Sequence, residues 1–163
     1  MPISSVAMSV EGVLQKYQPT VPIPVGVALY HSLATNFNIL LYSEDEKKSL
    51  DYWLGIEALT KHAAVEYNEG PKRWEDSHIR KMVQLASLHN RGFHIDLVID
   101  PDPTASVKMI ESGYNVMTFT HAQYALPQWR PDYTEQRRPW KDFEDAAIKL
   151  AELRALDTRM KDQ

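Results

Sequence analysis

Cysteine is absent from the 163 residues, which excludes disulfides, thiolate catalysis and cysteine-based zinc or iron–sulfur sites. Glycine is scarce, with six scattered residues. Neither a Gly-x-Gly-x-x-Gly fingerprint nor a P-loop occurs, so dinucleotide and Walker-type nucleotide binding are disfavoured. No apolar run approaches the roughly 18–20 residues of a membrane-spanning helix. The start, Met1-Pro2-Ile3-Ser4-Ser5, lacks the cationic and continuous apolar stretches of a signal peptide. Charge of one sign is lacking too: 18 basic against 22 acidic side chains leave a net charge of -4. The chain as a whole is therefore not an electrostatic nucleic-acid binder, and such contact would need a local basic patch. None of the six histidines pairs with another at helical spacing beside a carboxylate, and no His-Glu-x-x-His occurs, so zinc hydrolysis is unsupported. These absences predict a soluble, cytoplasmic protein with no membrane association.

What is present reads as one α/β unit, 44% hydrophobic and 25% charged. Val6 to Val10, Phe37 to Tyr42, Ile95 to Asp100 and Asn115 to Thr120 read as strands, with a weaker candidate at Ala64 to Tyr67. Gly26 to Leu33 fits a helix or a strand, with its position favouring a helix, and helices are expected from a Ser43…Glu46 capping box to Gly55, from about Asp76 to Asn90, and from Ala105 to Glu111. On the third, Ile79, Met82, Val83, Leu85 and Ala86 recur at helical spacing. Strands alternating with helices predict a three-layer, Rossmann-like parallel sheet of about five strands, with helices on both faces and no large cap domain. That core is expected over residues 1–124. Residues 125–163 change character, with an irregular arm rich in tryptophan and arginine and then a charged helix. Phe143, Ala147, Leu150, Leu153 and Leu156 form the apolar stripe of that helix.

In such a sheet, sites form beyond the carboxyl ends of the strands. The residues expected there are Ser9 with Glu11, Ser43 with Glu44 and Asp45, Asp100 with Asp102, and Thr120 with His121; Lys81, early in the third helix, can lean into the same mouth. Carboxylates, a lysine and a hydroxyl at one sheet edge suit a magnesium-assisted phosphate site: the metal takes hard oxygen ligands, and the phosphate takes a cation and hydrogen-bond donors.

In order along residues 5–120, these positions resemble the haloacid dehalogenase (HAD) superfamily of phosphotransferases. Its first motif, Asp-x-Asp-Gly-Val-Leu after a strand, stands here as Ser9-Val10-Glu11-Gly12-Val13-Leu14. Ser43 matches the second motif, Lys81 (or Arg80) the third, and Asp100-Pro101-Asp102 the acidic fourth. The acidic-Pro-Asp-Pro stretch and the segment from Tyr124 to Asp132 are similar to small HAD-like proteins of actinobacterial phages. The resemblance implies phosphate binding by Ser43 and Lys81 and magnesium held by Asp100 and Asp102. It also places Ser9 and Glu11 at the positions of nucleophile and general acid.

The departure lies in that first motif. A serine hydroxyl is neutral, a poor ligand for a hard cation and a weak nucleophile without an adjacent base. Glu11 is one methylene longer than the aspartate it replaces, which alters its reach. The resemblance thus implies a degenerate domain with lost or weak phosphatase chemistry, kept as a binding or assembly module. Alternatively, it is an active magnesium-dependent phosphomonoesterase or nucleotidase. A third reading is a nucleic-acid-processing accessory.

Plainer roles stay open for each residue. Ser9-Glu11-Gly12 can be a strand-to-loop turn, Ser43 a helix cap, Lys81 a solvated surface residue, and Asp100 to Asp102 a turn capping the next helix. Trp129, Arg130, Tyr133, Arg138 and Trp140 have the composition of a partner-binding surface, through which the chain could dimerise or hold another protein. An arm that wraps over its own sheet explains the same composition.

Overall fold

The computed structural model describes residues 3–16, 20–71, 76–120 and 139–156. They form β1 (Ser5–Ser9), α1 (Pro24–Leu33), β2 (Asn38–Tyr42), α2 (Lys47–Ile56), β3 (Ala64–Glu66), α3 (Ser77–Asn90), β4 (Ile95–Asp100), α4 (Pro103–Glu111), β5 (Val116–Thr118) and α5 (Pro139–Leu156). The five strands make one parallel sheet in the order β3-β2-β1-β4-β5.

Alternation along the strands divides the core into two layers. Val6, Met8, Ile39, Leu41 and Ile99 face Tyr30 of α1 and Leu50 and Leu54 of α2. Ala7, Leu40, Tyr42 and Val98 face Leu85 and Leu88 of α3 and Ala105 and Met109 of α4. Burial on both faces is why the central strands read as nearly continuous apolar runs. The fold is the expected three-layer, Rossmann-like α/β arrangement.

Gly12 and Gly26 are required where α1 meets the turn after β1. Gly12 adopts φ 82° in the tight turn after β1, where the Leu14 and Gln15 amides both donate to the Val10 carbonyl. Gly26, in the first turn of α1, lies so close to that turn that an added Cβ would sit 1.6 Å from the Val13 carbonyl oxygen. The helix can approach the loop only because this position has no side chain.

Several element expectations need correction. The Ser43…Glu46 capping box does not form: α2 begins at Lys47, Glu46 occupies the cap position without a side-chain cap bond, and Ser43 is engaged elsewhere. Pro103 opens α4, two residues earlier than expected, because its missing N–H costs nothing in a first turn and Asp102 caps the helix. On α3 the buried stripe is Ser77, Lys81, Gln84, Leu85 and Leu88, whereas Ile79 and Val83 are exposed. The first half of this helix faces the polar end of the sheet, so polar side chains take the inward positions.

The stripe expected on the last helix is also largely outside the core. α5 runs beside α4, with Thr104 and Val107 facing Asp142, Ala146 and Lys149 across a gap of about 220 Å³. Leu150, Leu153 and Leu156 are exposed, as is Ile148. No helix among the described residues is long and apolar enough to cross a membrane.

Candidate functional site at the carboxyl edge of the sheet

The chain winds outward from β1 through β2 to β3, then returns to place β4 on the other side of β1. This reversal sets the carboxyl ends of β1 and β4 side by side, at the topological switch point where doubly wound sheets place ligands. Ser9 ends β1 and Asp100 ends β4. Ser43 follows directly after β2.

One group of side chains forms around Glu11. The Ser9 hydroxyl donates to the Glu11 carbonyl oxygen at 2.8 Å, so the residue expected at the nucleophile position closes a local turn. The Glu11 carboxyl reaches across to the end of β2. There it accepts from the Ser43 hydroxyl at 2.6 Å and from the Glu44 amide at 3.1 Å. The Asp45 amide in turn donates to Ser43 Oγ at 3.0 Å. Burial pushes the Glu11 carboxyl up from its ordinary 4.5 to about 7, against the Ser43 hydrogen bond and with the nearby Asp45 and Glu44 charges adding to the rise.

The second group forms around Asp100. Lys81 crosses from α3 so that its Nζ lies 3.0 Å from Oδ1 and 2.9 Å from Oδ2 of Asp100. The Tyr42 hydroxyl donates to Oδ2 at 2.7 Å, and the Asp102 amide donates to Oδ1 at 2.7 Å. Burial by itself would lower the Lys81 ammonium, but the charges of Asp100, Asp102 and Glu44 outweigh it and hold the group above its usual range. Burial raises Asp100, and Lys81 opposes that rise. With ammonium, hydroxyl and amide all donating to it, the Asp100 carboxyl serves as an acceptor, and the pair is an ammonium–carboxylate pair. Burial similarly raises the Tyr42 hydroxyl, reinforced by Asp100, which keeps it a proton donor.

The expected site residues are therefore at one edge of the sheet, divided between two carboxyls. Ser43 attaches to the Glu11 carboxyl and Lys81 to that of Asp100, whereas Ser9 bonds only the Glu11 main-chain carbonyl. The solvated surface role for Lys81 is overturned, since only 2% of it is exposed. Asp102 caps α4 through Oδ1, which accepts from the Thr104 amide at 2.9 Å. Arg80, expected as the alternative to Lys81, pairs with the buried Glu44 at 2.6 Å, and Glu44 also accepts from Ser77 at 2.7 Å. Thr120 is exposed.

Trp140 stands at the start of α5 and stacks on Phe143, with ring centroids 5.8 Å apart. Trp129, Arg130, Tyr133 and Arg138, together with His121 and the boundary proposed at residue 124, lie outside the described residues.

Sequence reasoning missed Tyr42, whose hydroxyl ties the end of β2 to Asp100. The signal was there: period two puts Tyr42 on the same face as Leu40, and a buried tyrosine needs a partner for its hydroxyl. It also missed Ser77 and Gln84. The latter donates to the Ser43 carbonyl at 2.7 Å, and its recognition required knowing which face of α3 turns inward.

Magnesium has to be weighed against these contacts. Both oxygens of Asp100 are taken by Lys81, Tyr42 and the Asp102 amide, and Asp102 is engaged at its helix. Among the described residues, no group of three or more His, Asp or Glu side chains converges so as to hold a metal ion. As arranged, the donor set fits an ammonium and does not fit a divalent cation.

The centre is also closed. Ser9, Glu11, Ser43, Lys81, Asp100 and Asp102 are all buried. A groove of about 850 Å³ lies to one side, between α3 and the end of β3, lined by Tyr67, Asn68, Ile79, Arg80, Val83 and Gln84 among others. Arg80 and Gln84 connect it to the buried centre through Glu44 and the Ser43 carbonyl. The arrangement can hold a proton on Glu11 near neutral pH and can fix the ends of β1, β2, β4 and α3 relative to one another. Comparison with known proteins adds no relative: the chain matches no protein-family model, and no curated protein matches it in sequence.

Proposed function

We propose that this chain is a HAD-like domain with lost or weak phosphatase chemistry that acts as a binding or assembly module. The observation that carries this reading is the bonding of Ser9. At the position where the resembling family has its nucleophilic aspartate, a hydroxyl donates its hydrogen bond to the Glu11 main-chain carbonyl, which is not a base that could activate it. The cations that would meet a phosphate are paired internally, Lys81 with Asp100 and Arg80 with Glu44. A partner surface is supported by Leu150, Leu153 and Leu156, which α5 leaves exposed. A phage origin belongs to the same reading, through the resemblance of the acidic-Pro-Asp-Pro stretch and the segment from Tyr124 to Asp132, and a phage-encoded chain would act in the host cytoplasm.

The second reading, an active phosphomonoesterase or nucleotidase, is favoured by Glu11. A carboxyl that titrates near 7 is suited to general acid–base work at neutral pH.

Hydrolysis of a phosphomonoester panel in magnesium-containing buffer separates the two, using wild type, Asp100→Ala and Ser9→Asp. The module reading expects no turnover in wild type. Turnover that Asp100→Ala abolishes would refute it in favour of the enzyme. Activity gained only in Ser9→Asp would show a pocket lacking its nucleophile alone. Silence in all three leaves the partner surface as the function to pursue.

A further inference from the structure

We propose that the carboxyl edge of this sheet carries its own cation: the Lys81 ammonium occupies the charge position at Asp100 that a divalent ion fills in a magnesium-assisted phosphate site, and the centre binds no divalent metal.

The geometry behind this is specific. A lysine with 2% exposure sits against an aspartate with none, and Nζ reaches both carboxylate oxygens rather than one. The remaining acceptor capacity of Asp100 is used by a strand side chain, Tyr42, and by the amide of the residue that caps α4. A magnesium ion dehydrates reluctantly and demands near-octahedral oxygen ligation. To enter, it would have to displace a buried ammonium from its paired carboxylate. The neighbouring carboxyls offer no substitute. Glu44 is held by Ser77 and Arg80, Glu11 accepts from Ser43 and the Glu44 amide, and Asp102 accepts from Thr104. Ser9, which could have brought a third charge, brings a neutral hydroxyl already spent on a carbonyl.

The inference is independent of turnover. A metal-free enzyme would leave it intact, and an inactive domain that binds metal would overturn it.

The test uses the full chain and Mn2+, whose paramagnetism broadens the amide resonances of nearby residues. Wild type is expected to show no saturable broadening at the amides of Ser9 to Glu11 and Asp100 to Asp102; broadening confined to surface carboxylates is the same result. Saturable broadening at those amides in wild type overturns the proposal, with no variant needed. In Lys81→Met, if it folds, the vacated carboxylate is expected to acquire Mn2+-dependent broadening there, at least tenfold stronger than in wild type at equal Mn2+. A folded Lys81→Met that stays as inert as wild type would show that the ammonium is not what excludes the metal, and would overturn the proposal in turn.

Discussion

Lys81 Nζ bridges both carboxylate oxygens of Asp100, at 3.0 and 2.9 Å, from a helix on one face of the sheet to the end of a central strand. Both side chains are buried, so each is the other's main compensation for lost hydration. Replacing Lys81 by Met should destabilise the fold by about 3–5 kcal/mol, because a buried carboxylate is left unpaired. The double variant Lys81→Met with Asp100→Leu should recover much of that loss. Urea unfolding of the two single variants and the double gives the coupling energy directly. Additive losses would show that the two groups are not energetically paired.

Glu11 sets a pH dependence whose sign can be worked out. Its carboxyl holds a proton up to about 7 in the folded chain, against an ordinary 4.5. Between these values the folded state binds more proton than the unfolded state. Stability is therefore fully present below about 4.5 and falls as pH rises towards 7, by on the order of 3 kcal/mol from this group. Above that the penalty is complete and the curve flattens. Glu11→Gln keeps an acceptor for Ser43 and removes the ionisation, so its stability should vary less between pH 5 and 8. Chemical denaturation of both proteins across that range is the check, and parallel curves would contradict the assignment.

Asp102 tests cap against ligand. Its Oδ1 accepts from the Thr104 amide, so Asp102→Ala should cost about 1 kcal/mol as a lost cap, whereas Asp102→Asn should be nearly neutral. Thermal unfolding with and without magnesium separates the roles. A cap predicts the same ranking in both conditions, and a ligand predicts a magnesium-dependent gap between wild type and Asn.

Two glycines in helices should respond oppositely to alanine. At Gly26 the new Cβ would meet the Val13 carbonyl oxygen at 1.6 Å, and backbone cannot yield as a side chain can. Gly26→Ala should cost about 3 kcal/mol or more. At Gly55, within α2, nothing lies within 4 Å of an added Cβ. Gly55→Ala should stabilise by about 0.5–1 kcal/mol through helix propensity. Equal effects at the two sites would be inconsistent with the close approach of α1 to the Val10–Gln15 turn.

The strands were the legible part. Asn38–Tyr42 and Ile95–Asp100 are short apolar runs ended by acidic or prolyl breaks, and burial on both faces leaves that signature in any window of sequence. Helix faces were less legible. Ile79 and Val83 mark an apolar stripe on α3, yet the helix turns Ser77, Lys81 and Gln84 inward, because Glu44, Asp100 and the Ser43 carbonyl wait at the sheet edge. Ser43 followed by Glu46 has the spacing of a capping box, but Glu11 offers its hydroxyl a buried acceptor 32 residues away, which a local rule cannot see.

Composition, period and breakers thus determined the layered α/β architecture and the set of polar residues at the strand ends, since these follow from local burial and backbone preference. Which of those residues bond to which was decided only by the tertiary structure. Partners such as Lys81 with Asp100 and Glu11 with Ser43 come from different elements. Their pairing depends on the strand order that sets β1 between β2 and β4, and on the need of each buried charge for a counterpart within about 3 Å.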